Sequence, residues 1–247
     1  MTLKGKLLKT YWRLEKRLVP NLRYSQSHYE EHLFRWIRDG AGWLDVGCGR
    51  RLLPPWRLDA ERVLVSRARM LVGIDLDFAS LLDNRSAHAR LFGVVHDLPF
   101  RGEAFDVVTA NMVVEHLADP EGDFREVARV LKPGGVFIMH TPNAGAFPTL
   151  AARVVPEVAK RPLVRLLDGR RSKDVFPTYY RCNSSSDVHR CAAAAGLHVA
   201  ELSMVSTTAL FSVIPPLAFL ELLWIRFVQA EHRRDLRSNI ITVLQKP

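Results

Sequence analysis

The residues of this chain that could do chemistry are two glycines around a cysteine (Gly47-Cys48-Gly49), two acids that close apolar runs (Asp75 and Asp97), an amide (Asn111), and the bases His116, His140 and Tyr180. Gly47-Cys48-Gly49 follows the apolar run Trp43-Leu44-Asp45-Val46, so a short buried strand ends in a sharp turn where a ligand can reach bare Cα atoms. Met70-Leu71-Val72-Gly73-Ile74 is apolar until it closes on Asp75. A carboxylate at that strand end, beside the glycine turn, can accept both hydroxyl hydrogens of a ribose. Alternatively it caps the helix that starts near Phe78. Asp97 and Leu98 suit an adenine, whose exocyclic amine donates and whose faces take apolar contact; Asp97 could also cap a turn before Pro99.

These residues must be positioned by an alternation of strands and helices. The pattern predicts helices over about 59–69, 78–84, 121–131 and 184–195, and strands over 43–46, 70–75, 91–95, 105–111, 136–141 and 197–205. Phe105 to Asn111 is nearly all apolar, as expected of a strand buried on both faces. Strand, helix, strand, helix gives a doubly wound α/β sheet, and ligands of such sheets bind beyond the carboxyl ends of the strands. Gly47, Asp75, Asp97, Asn111 and His140 all fall there.

The chain resembles the class I S-adenosylmethionine-dependent methyltransferases that act on small molecules, quinones and lipids. The matching stretches are Leu44 to Gly49, Val72 to Leu76, Asp97 to Phe100, Phe105 to Asn111, Val114 to Leu117, Arg129 to Gly135, and Thr141 to Asn143, in the family's order. The resemblance implies a Rossmann-like seven-stranded sheet, mostly parallel with an antiparallel last strand at 239–244. It also implies S-adenosyl-L-methionine as cofactor, held by Asp45, Gly47, Cys48, Gly49, Asp75, Leu76, Asp97, Leu98 and Asn111, and no metal. Arg51 stands where the family usually has a third glycine; its side chain either points away from the cofactor or pairs with the cofactor's carboxylate. Methyl transfer to oxygen, the expected reaction, is mostly alignment, and a hydroxyl acceptor also needs a base. His140 is the first candidate, then His116, then Tyr180.

Outside the sheet, residues 1–42 are expected to form N-terminal helices, 43–247 the methyltransferase domain, 142–183 a lid that selects the acceptor, and 211–231 a hydrophobic helix. Helical pieces are expected at 151–158 and 163–167 within the lid, followed by the basic run Arg170 to Lys173. Tyr24, Gln26 and Tyr29 are candidates for a lid over the cofactor or for ordinary cap and surface groups. Residues 1–23 hold seven basic residues against Glu15, within a net charge of +9. Leu3, Leu7, Tyr11, Leu14 and Leu18 recur at helical spacing, so this basic amphipathic helix either lies on an anionic membrane or packs its apolar face on the domain. Three cysteines at unrelated spacings indicate neither a disulfide framework nor a zinc knuckle, and Lys4, Lys6 and Lys9 interrupt any signal-peptide core, so the expected compartment is the cytoplasm. The acceptor is expected to be a small or lipid-linked molecule. A nucleic-acid methyltransferase fits the pI of 9.8, but Asn111-Met112-Val113-Val114 replaces the Asp/Asn-Pro-Pro-aromatic motif. A non-catalytic cofactor binder is the other alternative, and the sequence gives no oligomeric state.

Overall fold

A computed structural model describes residues 3–154, 176–207 and 211–247. The chain forms two compact units, one from residues 1–28, 142–177 and 204–239, the other from 29–141, 178–203 and 240–247. The breaks fall after His28 and Pro177, so Tyr179-Tyr180-Arg181 belong with the sheet and not with the rest of the 142–183 segment.

The sheet comprises β1 (Ala41–Val46), β2 (Ala68–Asp75), β3 (Ala89–Phe92), β4 (Phe105–Asn111), β5 (Leu131–Pro142), β6 (His198–Val205) and β7 (Asn239–Gln245), in the order β3-β2-β1-β4-β5-β7-β6. β1 is buried along its whole length and pairs in parallel with β2 on one side and β4 on the other. The strand order reverses there, and sheets of this kind bind their ligands at such a reversal, beyond the carboxyl ends of the strands, here those of β1 and β4. Register makes those ends level: Val46 lies opposite both Ile74 and Ala110, and Asn111 lies opposite His140. β7 runs antiparallel, since Gly134 and Gly135 at the start of β5 exchange backbone hydrogen bonds with Lys246, just beyond the far end of β7.

The connections are α2 (Ser25–Trp36), α3 (Leu58–Arg67), α4 (Phe78–Asp83), α5 (Pro120–Val130) and α7 (Ser185–Ala194). α5 starts where Asp119 accepts the Gly122 N–H and buries Phe124, Val127 and Val130. The Phe124 ring meets Phe137 of β5 edge-on at 5.3 Å, and each such fully buried side chain contributes about 1.5–3 kcal/mol. α7 begins at Ser184, whose hydroxyl accepts the Asp187 N–H.

The other unit contains α1 (Leu3–Leu18), α6 (Phe147–Val154) and α8 (Pro215–Val228). Tyr11 and Val19 cluster with Ala218, Leu222 and Ile225, and Leu14, Leu18 and Leu22 pack against the group. Of the two fates open to the basic amphipathic helix, its apolar face therefore takes the packed one, against α8. The lid pieces expected at 163–167 and 170–173, and the end of that at 151–158, lie outside the described residues. No described helix is long and apolar enough to cross a membrane.

Candidate active site

The site is built around the turn that ends β1. Gly47 has φ +65°, and a Cβ there would come within 2.3 Å of a Val113 methyl, so both backbone angle and space demand glycine. Gly49 is also left-handed, at φ +48°, but a Cβ there would meet nothing within 4 Å; this half-buried glycine borders open space that a ligand could fill. The Gly47 and Cys48 N–H groups both donate to the Ile74 carbonyl, fastening the turn to β2. Cys48 is buried and its thiol lies over Gly73, where a Cβ would come within 2.7 Å of the sulfur. Burial and the nearby Asp45 and Asp75 push that thiol up, so Cys48 can offer the crevice its backbone and not a reactive sulfur.

Asp75 Oδ2 accepts the Gly49 N–H at 2.7 Å and Oδ1 the Asp77 N–H at 2.7 Å. The cap of α4 is Asp77, which accepts the Ala79 N–H, so Asp75 is not spent on that role. Each carboxylate oxygen can accept a further hydrogen bond. Asn84 holds the turn from the other side: its Nδ2 donates to the Cys48 and Gly49 carbonyls at 3.2 and 2.9 Å, while its Oδ1 accepts from the Ser86 and Ala87 N–H groups. Sequence reasoning missed Asn84, which belongs to no motif and acts through the loop fold.

Asp45 is buried beneath the turn. Thr109 donates to its Oδ1 at 2.6 Å and itself receives the Trp43 indole N–H at 2.8 Å. Burial dominates, raising the Asp45 carboxyl to about 7, with Asp75 and Glu61 adding to the rise. Tyr29, fully buried on α2, stacks on His140 with centroids 5.6 Å apart; burial and Asp45 push its phenol up. Of the lid candidates Tyr29 thus belongs to this cluster, whereas the Tyr24 hydroxyl donates to Glu15 at 3.0 Å in the other unit and Gln26 is half-buried.

His140 Nδ1 lies 2.8 Å from Asn111 Oδ1, and burial lowers the imidazole to about 4. Met112, just beyond Asn111, holds φ +59° while its N–H donates to the His140 carbonyl, a strained non-glycine conformation at the crevice rim. His116 sits in the short 3-10 turn Val114–His116 with its side chain 30% exposed and Nε2 4.0 Å from Glu115 Oε1. Glu115 is buried; its Oε2 accepts from Thr141, which accepts from Asn183, and its backbone carbonyl takes the N–H groups of both Tyr179 and Tyr180. Tyr180 is left-handed at φ +52°, and Arg181 donates to the Ala118 carbonyl. The structure thus brings His116 and Tyr180 together around Glu115 and pairs His140 with Asn111.

Asp97 and Leu98 are arranged differently. Leu98 is 3% exposed, its N–H donates to Glu126 and its carbonyl accepts from Arg129, while Asp97 stands exposed. The exposed apolar surface beside Asp75 is formed by Leu76, Phe78 and Phe92; Phe92 lies opposite Asp75 in the sheet register, and its ring meets Phe78 edge-on at 6.3 Å. Arg51 lines a groove of about 480 Å³ with Arg50, Arg62 and Arg85 along α3. No group of His, Cys, Asp and Glu among the described residues could hold a metal ion.

A sheet of this strand order, with a glycine turn after β1 and an acid ending β2, defines the class I S-adenosylmethionine-dependent methyltransferase fold. Residues 44–139 match the model of the methyltransferase-domain family. A Mycolicibacterium smegmatis protein named for S-adenosylmethionine-dependent methyl transfer is 30% identical over 140 residues, 53% of this chain and 52% of that protein. The ubiquinone biosynthesis O-methyltransferase of Ruegeria pomeroyi is 38% identical over 130 residues, 47% of this chain and 48% of that protein. The chain spans about half the length of these curated relatives. The solved structure of an S-adenosylmethionine-dependent methyltransferase from Mesorhizobium loti shares the fold with TM-score 0.56 at 16% identity, over 90% of this chain and 98% of that one. The cofactor of this class is S-adenosyl-L-methionine, and two features of the site fit it: open space at Gly49 beside a carboxylate with spare acceptor capacity, and a buried acid, Asp45, with no compensating cation among the described residues.

Proposed function

We propose that the protein is an active methyltransferase that moves the methyl group of S-adenosyl-L-methionine to an oxygen of a small or lipid-linked acceptor. The observation that carries this is the Asp75 carboxylate, held by Gly49 and Asp77 at the strand end where it can receive two ribose hydroxyls. Asp45 would meet the cofactor's ammonium, and Leu76 and Phe92 would flank the adenine, with Asp97 exposed nearby. The cofactor supplies an electrophilic methyl; the protein's residues align the acceptor and receive its proton. Transfer to oxygen is favoured by the O-methyltransferase names of relatives such as that from Ruegeria pomeroyi.

Among the bases, the site geometry favours His116. An imidazole lowered to about 4 is neutral at pH 7 but about three units too weak to hold a proton there, a penalty of about 4 kcal/mol, so His140 is better suited to orienting Asn111. His116 is accessible, and its Nε2 lies 4.0 Å from Glu115 Oε1. Tyr180 would line the acceptor side.

The test is incubation with methyl-labelled cofactor and separated quinone-phenol, lipid and RNA fractions, with mass spectrometry of the products. Label in an ether or ester of a quinone or lipid supports the proposal. Label in RNA alone, or tight cofactor binding without transfer to any fraction, rejects it in favour of a nucleic-acid enzyme or a binder.

A further inference from the structure

We propose that the outward face of α8 is a docking surface for an anionic lipid bilayer. α8 is apolar nearly all round, yet only one side of it is used internally: Ala218, Leu222, Ile225 and Val228 are buried, the first three against α1. Pro216, Leu220, Leu223 and Phe227 recur on the opposite side at i, i+4, i+7 and i+11, and all are exposed, Leu220 to 61%. Leu217 and Phe219 widen this face. Trp224 extends it toward α6, with its ring 5.5 Å from Phe227 and 6.2 Å from Phe147. An apolar helix face that no described residue covers calls for an occupant.

Charge identifies the occupant. The described residues of the unit that contains α8 carry twelve lysines and arginines against four acids, a net charge of +8, whereas the sheet unit stands at −2. Cations also border the patch: Arg226 is exposed on α8 itself, and Arg233 lies 3.7 Å from the Phe227 ring centroid. Apolar residues at the centre and guanidinium groups at the edge are the arrangement of a helix lying in the headgroup region, where each nearby cation adds about 1 kcal/mol at an anionic surface. Shallow docking also suits a helix of 14 residues, too short to span. The sequence offered α1 as one candidate for this role, but with its apolar stripe against α8, the exposed described residues of α1 are Trp12 and mostly cations, Lys6, Lys9, Arg13, Lys16 and Arg17 among them.

The full-length protein should co-sediment with vesicles of phosphatidylglycerol and phosphatidylcholine and not with phosphatidylcholine alone, and added salt should weaken the interaction. The double substitution Leu220→Glu/Phe227→Glu should lower vesicle affinity by at least about tenfold, with circular dichroism and cofactor binding by calorimetry unchanged; a milder pair, Leu220→Ser/Phe227→Ser, serves if the first does not fold. Vesicle affinity unchanged in the pair that folds overturns the proposal. So does adhesion lost on Lys9→Glu/Lys16→Glu but kept in the α8 variants. A wild-type protein that ignores vesicles and forms a dimer that the α8 substitutions dissociate, read by light scattering, also overturns it and assigns the face to a second copy. None of these readouts depends on methyl transfer.

Discussion

Replacing Asp45 by Asn should make the cofactor-free protein more stable and its cofactor site worse. The folded protein keeps a proton on Asp45 up to about pH 7, whereas the unfolded chain releases it near 3.8. Below 3.8 both states are protonated and the acid costs nothing. Between 3.8 and about 7 only the folded state holds the proton, so stability falls as pH rises, and above 7 the loss is constant. Three pKa units correspond to about 4 kcal/mol. Water that reaches the ionised group keeps the realised cost at about 2 to 4 kcal/mol. Asparagine removes that cost, and its amide oxygen can still accept the Thr109 hydroxyl that now donates to Asp45. Urea unfolding of both proteins should therefore show a gain at about pH 8 that exceeds the gain at about pH 5 by about 1 to 3 kcal/mol. Calorimetry with S-adenosyl-L-methionine should show at least about tenfold weaker binding to the variant, and wild-type affinity should fall as pH drops below about 7. An equal gain at both pH values, or a loss at both, would refute the assignment of a strained buried carboxylate.

Asp75→Ala should weaken S-adenosyl-L-methionine binding by at least about tenfold, about 1.4 kcal/mol; calorimetric affinity equal to wild type would remove Asp75 from the ribose site. Gly73→Ala places a methyl 2.7 Å from the Cys48 sulfur and should destabilise the protein by about 1–3 kcal/mol, a loss that adding Cys48→Ala should partly recover in denaturant titrations. His116→Gln should lower kcat by about 10²- to 10⁴-fold with cofactor affinity held, while His140→Gln, which can still hydrogen-bond Asn111, should lower it less; the reverse order would return the base to His140. Tyr180→Gly keeps a backbone that tolerates φ +52° and removes the phenol, so it should fold, bind cofactor within about twofold and lose kcat/KM for the acceptor.

The sheet was legible because strands buried on both faces write themselves as unbroken apolar runs, and their carboxyl ends are marked by a change of residue type at Gly47, Asp75 and Asn111. Legibility ended where a side chain's direction depends on distant neighbours. Nothing local distinguishes Leu98 packed inward, with its N–H on Glu126, from Leu98 facing a ligand. The Cys48 thiol turns under the loop because Gly73, on the next strand, leaves room for it. As candidate bases His140, near the end of β5, and His116, in the turn after β4, look alike in the sequence, and what separates them is burial against Tyr29 for one and a place beside Glu115 for the other. The amphipathicity of α1 was plain, but its partner lies some two hundred residues along the chain.

That separation sets an order of events during synthesis. α1 leaves the ribosome first, and Ala218, Leu222 and Ile225 follow near the end; at roughly 5–20 residues per second the wait is about 10 to 40 s. For that time Tyr11, Leu14 and Leu18 have no α8 to pack against, and the unit they belong to closes only after the third of its three chain segments has been made. A chain lacking α1 would leave α8 bare on both of its apolar faces, so amino-terminal deletions should act first on solubility and yield and only later on catalysis. Lysines and arginines along the outer side of α1 are well placed to keep the nascent segment dissolved in the interval.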